Sequence, residues 1–293
     1  MEIVLPARPP FSFSSVINSH GWSRLAPFQV EDQVNTISYI DRLATGRVVD
    51  LHIYALDGGV GVTCEAPLST REQEEVSRKV SWMMALDQDF SSFYRLARQE
   101  PKLAHAEARA NGRVLRSPTI FEDIVKTILT TNTLWAGTIR MVETLVRLYG
   151  DPLESDPSRH AFPTPGQLAV LDEETLRSEA RLGYRAPYIL QLSRRVDSGD
   201  LDLEALKTTE MPTSDLRKQL MGVKGVGGYA AANLLMILGR HEAIPVDSWA
   251  LKLVSHEWYS GEPVTPAQVE AAFEAWGEWK GLAFWFWDWV YKG

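Results

Sequence analysis

Three windows near the start of the chain carry strand-like patterns. Thr36-Ile-Ser-Tyr-Ile-Asp-Arg-Leu43 alternates in part, Arg47 to Leu56 is rich in Val, Ile and Leu, and Val60-Gly-Val-Thr-Cys-Glu65 is short. Period-two patterning and β-branched bias predict strands. Asp57-Gly58-Gly59 between the last two is a hairpin turn signal, so a small antiparallel sheet is expected. Residues 1–30 are Pro-rich and read as irregular, anchored by Phe11, Phe13, Trp22 and Phe28.

From Ser69 the period changes. Ser69-Thr-Arg-Glu-Gln73 opens a capped helix, with Thr70 or Ser69 as the cap and acids in its first turns. Helices follow at 85–97 and 102–110, and Asn111-Gly112 marks a boundary. Behind Pro118, Ile120, Ile124 and Ile128 share one helical face. Thr130-Thr-Asn-Thr133 breaks that run, and a second helix occupies 134–149 until Gly150. The acidic, Pro-rich stretch 151–167 reads as a loop. Helices at 172–180 and 186–196 flank Leu182-Gly-Tyr-Arg185, and 276–291 reads as a Trp-rich helix. The fold class is α+β: a domain at 1–112 with the sheet and some helices, then an all-helical domain at 113–293.

Composition narrows the class. With 293 residues and 45% hydrophobic content the chain can bury a sizeable core. Thirty Lys+Arg against 38 Asp+Glu give a net charge of -8, which argues against a broadly basic nucleic-acid binder. The charge is uneven, however. Residues 216–252 hold five basic side chains (Arg217, Lys218, Lys224, Arg240, Lys252) and two acidic ones, whereas 151–180 hold seven acidic and two basic. A local basic face is compatible with a small DNA footprint. Cys64, the single cysteine, excludes an intrachain disulfide, a four-cysteine iron–sulfur cluster and a cysteine zinc site. Leu282 to Tyr291 is too short to span a bilayer and contains Asp288. Met1 to Pro10 shows no signal pattern, so a soluble cytoplasmic protein without a membrane partner is expected.

The stretch with the most chemistry is 212–249. A helix at Pro212–Met221, a turn at Val223-Lys-Gly-Val-Gly-Gly228 and a small-residue helix at Tyr229–Leu238 form a helix-hairpin-helix over 212–238. The N–H groups that open the second helix have no partner within it, and with the helix dipole they favour an anion, most often phosphate. Gly-rich turns also serve as plain helix connections. Eighteen residues after Tyr229, behind Ile244-Pro-Val, stands a lone carboxylate, Asp247. An Asp at that place also caps the helix that begins at Ser248, and the two roles are compatible.

The hairpin with Asp247, Ile128-Leu-Thr-Thr-Asn132, Leu182-Gly-Tyr-Arg185 and Trp276-Gly-Glu-Trp-Lys-Gly281 together resemble the helix-hairpin-helix DNA glycosylase superfamily. The likeness covers about 117–290 and points to the branch of bacterial alkyl-base and 8-oxoguanine glycosylases. It implies a base-excision repair enzyme that flips a damaged base from double-stranded DNA, acts as a monomer and needs no cofactor. Asp247 would be catalytic. Gly225, Gly227 and Ala230 would offer N–H groups to phosphate, with Lys224 and Arg185 as further DNA contacts. The carbonyls of Met221, Val223 and Val226 would hold a structural monovalent or similar cation. Asn132 would fill the gap left by the extruded nucleotide, and Tyr184 would wedge into the other strand.

Departures from the family pattern bear on the substrate. Lys224 stands where the hairpin usually has Pro. Tyr229 takes the place of the lysine that is catalytic in the 8-oxoguanine branch. That branch's cytosine-reading arginine falls on Gly137, its base-contacting cysteine on Asn233 and its stacking phenylalanine on Asp288. The base pocket is therefore expected from Tyr229, Asn233, Trp249, Phe284, Trp285 and Asp288. Electron-rich rings attract a cationic base by about 0.5–2 kcal/mol. This favours alkylated purines and hydrolysis without strand cleavage. Oxidised or deaminated bases are the alternative within the class, and a non-catalytic DNA-binding module the alternative outside it.

Overall fold

The computed structural model describes residues 2–31 and 35–291. Five strands, β1 (Glu2–Pro6), β2 (Phe28–Glu31), β3 (Thr36–Arg42), β4 (Val48–Leu56) and β5 (Gly59–Thr63), form one antiparallel sheet in the order β1-β5-β4-β3-β2. The three patterned windows are its centre, with Leu56 paired to Gly59 across the Asp57-Gly58 turn. The two edges come from the stretch expected to be irregular. β1 and β2 are short and each pairs with one neighbour, so their strand character depends on that neighbour. A one-turn helix, α1 (Phe13–Ile17), lies between them in sequence, capped by Ser12.

Helix α2 (Thr70–Met83) starts at a reciprocal capping box. Ser69 Oγ accepts from Glu72 N at 3.4 Å, and the Glu72 carboxylate accepts from Ser69 N at 2.9 Å. The helix expected from 85 begins later, as α3 (Ser91–Ala97), because Ala85 takes a left-handed φ of 49°. That turn presents the Ala85 carbonyl to the Nε of buried Arg113 at 3.0 Å. Residues 101–110 are a run of tight turns rather than a helix. Bonds from Leu103 N to Glu100 O and from Ala106 N to Leu103 O bury both apolar side chains fully.

Helices α4 (Ile120–Thr130) and α5 (Trp135–Tyr149) follow the expected pattern. The expected loop after them instead holds a small β6 (Pro152–Leu153) and β7 (Asp156–His160) pair, then α6 (Pro165–Ala169). After α7 (Glu173–Ser178) and α8 (Ala186–Asp197) come the two hairpin helices, α9 (Thr213–Met221) and α10 (Gly228–Ile237). The chain ends with α11 (Ser248–Trp258), α12 (Pro266–Ala272) and α13 (Lys280–Phe286). The expected continuous helix at 276–291 is broken at both ends. Gly277 adopts φ 52°, which favours glycine, and the chain leaves helical geometry at Trp287.

The chain divides into two compact units, residues 1–87 with 113–209 and residues 88–112 with 210–293. The boundary expected after Gly112 is one of three crossings between them. Residues 88–112 group with the C-terminal helices because Phe90, Phe93, Tyr94 and Leu103 share a core with Leu253, Phe273 and Leu282. The core of the first unit carries buried charge. Glu122 and Lys126 pair at 2.6 Å on α4, and Tyr39 donates to Glu122 at 2.6 Å. Asp123 accepts from Trp22 Nε1 at 2.7 Å and from Ser117 N at 3.0 Å. Burial raises its carboxyl to about 7, against the two hydrogen bonds. Burial lowers His20, which contacts the Leu115 carbonyl at 2.6 Å, to about 4.

Among the described residues no helix is long and apolar enough to cross a membrane.

Candidate active site

The hairpin turn is built for close approach. Gly225 holds φ 93°, a left-handed conformation that a side chain disfavours. Helix α10 starts at Gly227 with no side-chain cap, and its first bond runs from Ala231 N to Gly227 O at 2.9 Å. The N–H groups of residues 228–230 precede that bond and point out of the helix start. A Cβ at Gly227 would meet nothing within 4 Å, so the space before the helix is open. Lys224 is exposed in the turn, and Val223 and Val226 are buried beneath it. The Val223 carbonyl accepts from Val226 N at 3.0 Å and keeps one lone pair for another partner.

Asp247 caps α11. Its Oδ1 accepts from Trp249 N at 2.9 Å and from Ala250 N at 2.8 Å. Both bonds fall on one oxygen, so Oδ2 has no hydrogen bond among the described residues. The carboxylate is fixed in direction and exposed. Its charge reaches Tyr229, whose phenol is raised above the usual tyrosine value by burial first and by Asp247 second. Tyr229 and Trp249 are 37% and 42% exposed. Asn233, one turn after Tyr229, donates to the Tyr229 carbonyl at 3.0 Å. A cavity of about 570 Å³ borders the same face, lined by Arg217, Gly228, Tyr229, Glu242, Ile244 and Val246.

One of the expected pocket residues lies in the core rather than on an open face. Phe284 is buried in the core, edge-on to Phe273 and Trp289, because it faces inward from α13. Asp288 is exposed in the extended tail, where its N–H bonds to the Lys102 carbonyl at 3.0 Å. Trp285 is half-buried.

In the first unit the structure joins the 130–134 loop to Tyr184 and Arg185. Asn132 is exposed with φ 47°, and its Nδ2 donates to the Tyr184 hydroxyl at 3.3 Å. Tyr184 OH donates in turn to the Thr131 carbonyl at 3.3 Å. Burial pushes that phenol up, but hydrogen bonds with the Thr131 hydroxyl and the Asn132 amide, together with Arg185, outweigh it and hold it below the usual value. Arg185 corrects an expectation: it is a buried brace, not an open phosphate contact. It is 6% exposed, donates to the Thr131 carbonyl and lies 4.4 Å from the Tyr184 ring centroid.

Two residues escaped the sequence reading. Arg217 counted only as one of several cations, yet its Nη2 lies 3.6 Å from where a Cβ of Gly228 would stand, over the start of α10. Leu134 read as an ordinary helix residue, yet it is 83% exposed. Nothing in a local pattern marks either one.

Residues 125–278 match the family of HhH-GPD superfamily base excision DNA repair proteins, and the chain belongs to that superfamily. The DNA-3-methyladenine glycosylase of Bacillus subtilis is 26% identical over 233 residues, covering 77% of this chain and 75% of its own length. Among solved structures, the 3-methyladenine DNA-glycosylase from Archaeoglobus fulgidus superposes with a TM-score of 0.76 at 23% identity, over 98% of this chain and 97% of that one. The Clostridium acetobutylicum 8-oxoguanine glycosylase/lyase superposes with a TM-score of 0.74 at 20% identity, over 97% and 94%. Both share the α+β fold with its small N-terminal sheet.

Proposed function

We propose that this base-excision repair glycosylase releases alkylated purines from double-stranded DNA by hydrolysis and leaves the strand intact. The observation that carries the reading is Asp247: a carboxylate held by two backbone bonds on Oδ1, with Oδ2 open, between the exposed rings of Tyr229 and Trp249 in sequence. Positive charge grows on the sugar as the glycosidic bond breaks, and a preorganised carboxylate stabilises it. Asp247 is exposed without DNA, so bound DNA itself would exclude the water. The aromatic faces suit a cationic base, which leaves readily and needs no strong acid.

The N–H groups at the start of α10, with Lys224 and Arg217, would grip phosphate. The carbonyls of Met221, Val223 and Val226 would hold a monovalent cation that ties the turn to that phosphate. Tyr229 cannot form the imine that strand cleavage requires. The enzyme acts as a monomer in this reading.

A panel of duplexes with one 7-methylguanine, hypoxanthine or 8-oxoguanine tests it. Alkali-dependent breaks are expected fastest at 7-methylguanine, with no adduct trapped by borohydride. Fastest release of 8-oxoguanine would reverse the substrate assignment. An adduct lost in Lys224→Ala would make Lys224 the nucleophile.

A further inference from the structure

We infer that Tyr291 is a positioning residue, a side chain that holds the Trp249 indole in place beside Asp247. The inference rests on the reading that an extruded base is held next to Asp247 with Trp249 at its side. The backbone of Trp249 is fixed, since its N–H donates to Asp247 Oδ1 at 2.9 Å. The side chain is not fixed in the same way. It is 42% exposed, and its Nε1 has no hydrogen bond among the described residues. An exposed ring of that kind hops between rotamers in picoseconds to nanoseconds unless something packs on it.

Tyr291 packs on it. The two rings stand 5.6 Å apart between centroids, tilted by 40°. Tyr291 also lies flat on His256, at 4.1 Å and 5°. Trp249 and His256 are seven residues apart and share one face of α11, so a single ring ties two turns of that helix together.

The segment that carries Tyr291 is anchored independently of Trp249. Trp287 Nε1 donates to the Glu257 carboxylate at 3.3 Å, and Trp289 Nε1 donates to the Phe284 carbonyl at 3.2 Å. Asp288 N donates to the Lys102 carbonyl at 3.0 Å, and Lys102 Nζ returns a bond to the Asp288 carbonyl at 3.1 Å. Lys102 also pairs with Glu257 at 2.8 Å, which ties this segment to α11. Residues 287–289 are therefore held before the chain reaches Tyr291, and Trp249 is the side chain that gains a support. Phe284, expected from the same segment at the base, is in the core. A wall beside the reacting bond works only if it is held in place by its own packing.

Two measurements test the inference. In single-turnover release of 7-methylguanine, Tyr291→Ala should be about tenfold slow and Tyr291→Phe, which keeps the ring, should be restored. Affinity for a duplex with a tetrahydrofuran abasic analogue should not change. Because Tyr291 acts through Trp249, adding Tyr291→Ala to Trp249→Ala should cost nothing further. A wild-type rate for Tyr291→Ala, or additive losses in the double variant, would overturn the inference. The second measurement needs no catalysis. With fluorotryptophan incorporated, the fluorine resonance of Trp249, assigned by its absence in Trp249→Phe, should shift in Tyr291→Ala and not in Tyr291→Phe. An unmoved resonance in Tyr291→Ala would overturn the inference too. A wild type that releases no base, while the resonance shifts in Tyr291→Ala, sinks the glycosylase reading and leaves the positioning standing. A wild type that releases 7-methylguanine no faster than Tyr291→Ala does the reverse.

Discussion

Two of the helix starts that lack a side-chain cap, those of α10 and α5, are opposites. At α10 the turn removes side chains: Gly225 bends it, Gly227 and Gly228 open it, and the backbone N–H groups face outward. At α5 the turn keeps a side chain: Asn132 bends it with φ 47°, and Leu134 projects at 83% exposure. The first leaves backbone donors open, and the second leaves an apolar side chain exposed. A third start, α11, shows what a capped one looks like. Asp247 spends one oxygen on two N–H groups and keeps the other free. The first two forgo a side-chain cap, while the third keeps one and still leaves an oxygen open.

Substitution at the capped start should have the largest effect. Asn is as good an N-cap as Asp. Asp247→Asn should thus keep the unfolding temperature while base release falls roughly 10²–10³-fold, the loss typical for one preorganised stabilising group. Asp247→Ala should lose the rate and about 1 kcal/mol of stability besides. Single-turnover rates near wild type for Asp247→Asn would remove Asp247 from the chemistry.

Acid should separate the α5 start from the α10 start. The loop before α5 rests on titratable groups, since His20 and Trp22 flank Gly21, against which Trp135 packs. The folded value of His20 is lowered to about 4 from 6.5. Its contribution is therefore present above pH 6.5 and is lost as pH falls toward 4, by on the order of 2–3 kcal/mol. Asp123 is raised, to about 7, so its contribution has the opposite sign: full below about pH 4 and lost as pH rises to 7. His20→Gln should flatten the acid side of the stability curve for residues 113–209 in hydrogen exchange and leave α10 unchanged. An unaltered pH profile would show that His20 does not titrate on unfolding.

The phosphate grip comes next. Gly225→Ala forces a side chain into φ 93° at a strain of roughly 1–2 kcal/mol. Wild-type affinity should fall with salt at a log–log slope of about -3 to -5, and Gly225→Ala should lose about one unit of it. An unchanged slope would place the phosphate contacts elsewhere.

Capping the α5 start should have the smallest effect and the most telling sign. Leu134→Ser should raise stability by about 0.5–1 kcal/mol by supplying the missing cap. A lower unfolding temperature would mean that Leu134 packs the fold after all.

The hairpin, the strands β3 to β5, a capped helix start at Ser69 or Thr70 and the helix start at Asp247 were legible from the chain alone. Each depends on chemistry within a few residues: a turn glycine, a side-chain oxygen reaching the next N–H groups, a period of two or 3.6. The tertiary structure decided what depends on remote partners. β1 and β2 became strands only beside β5 and β3. Residues 88–112 joined the C-terminal helices because their apolar side chains complete that core. Burial made Arg185 a brace and Phe284 a core residue, and its absence left Leu134 exposed. Exposure is set by what other segments cover, and no local pattern encodes that.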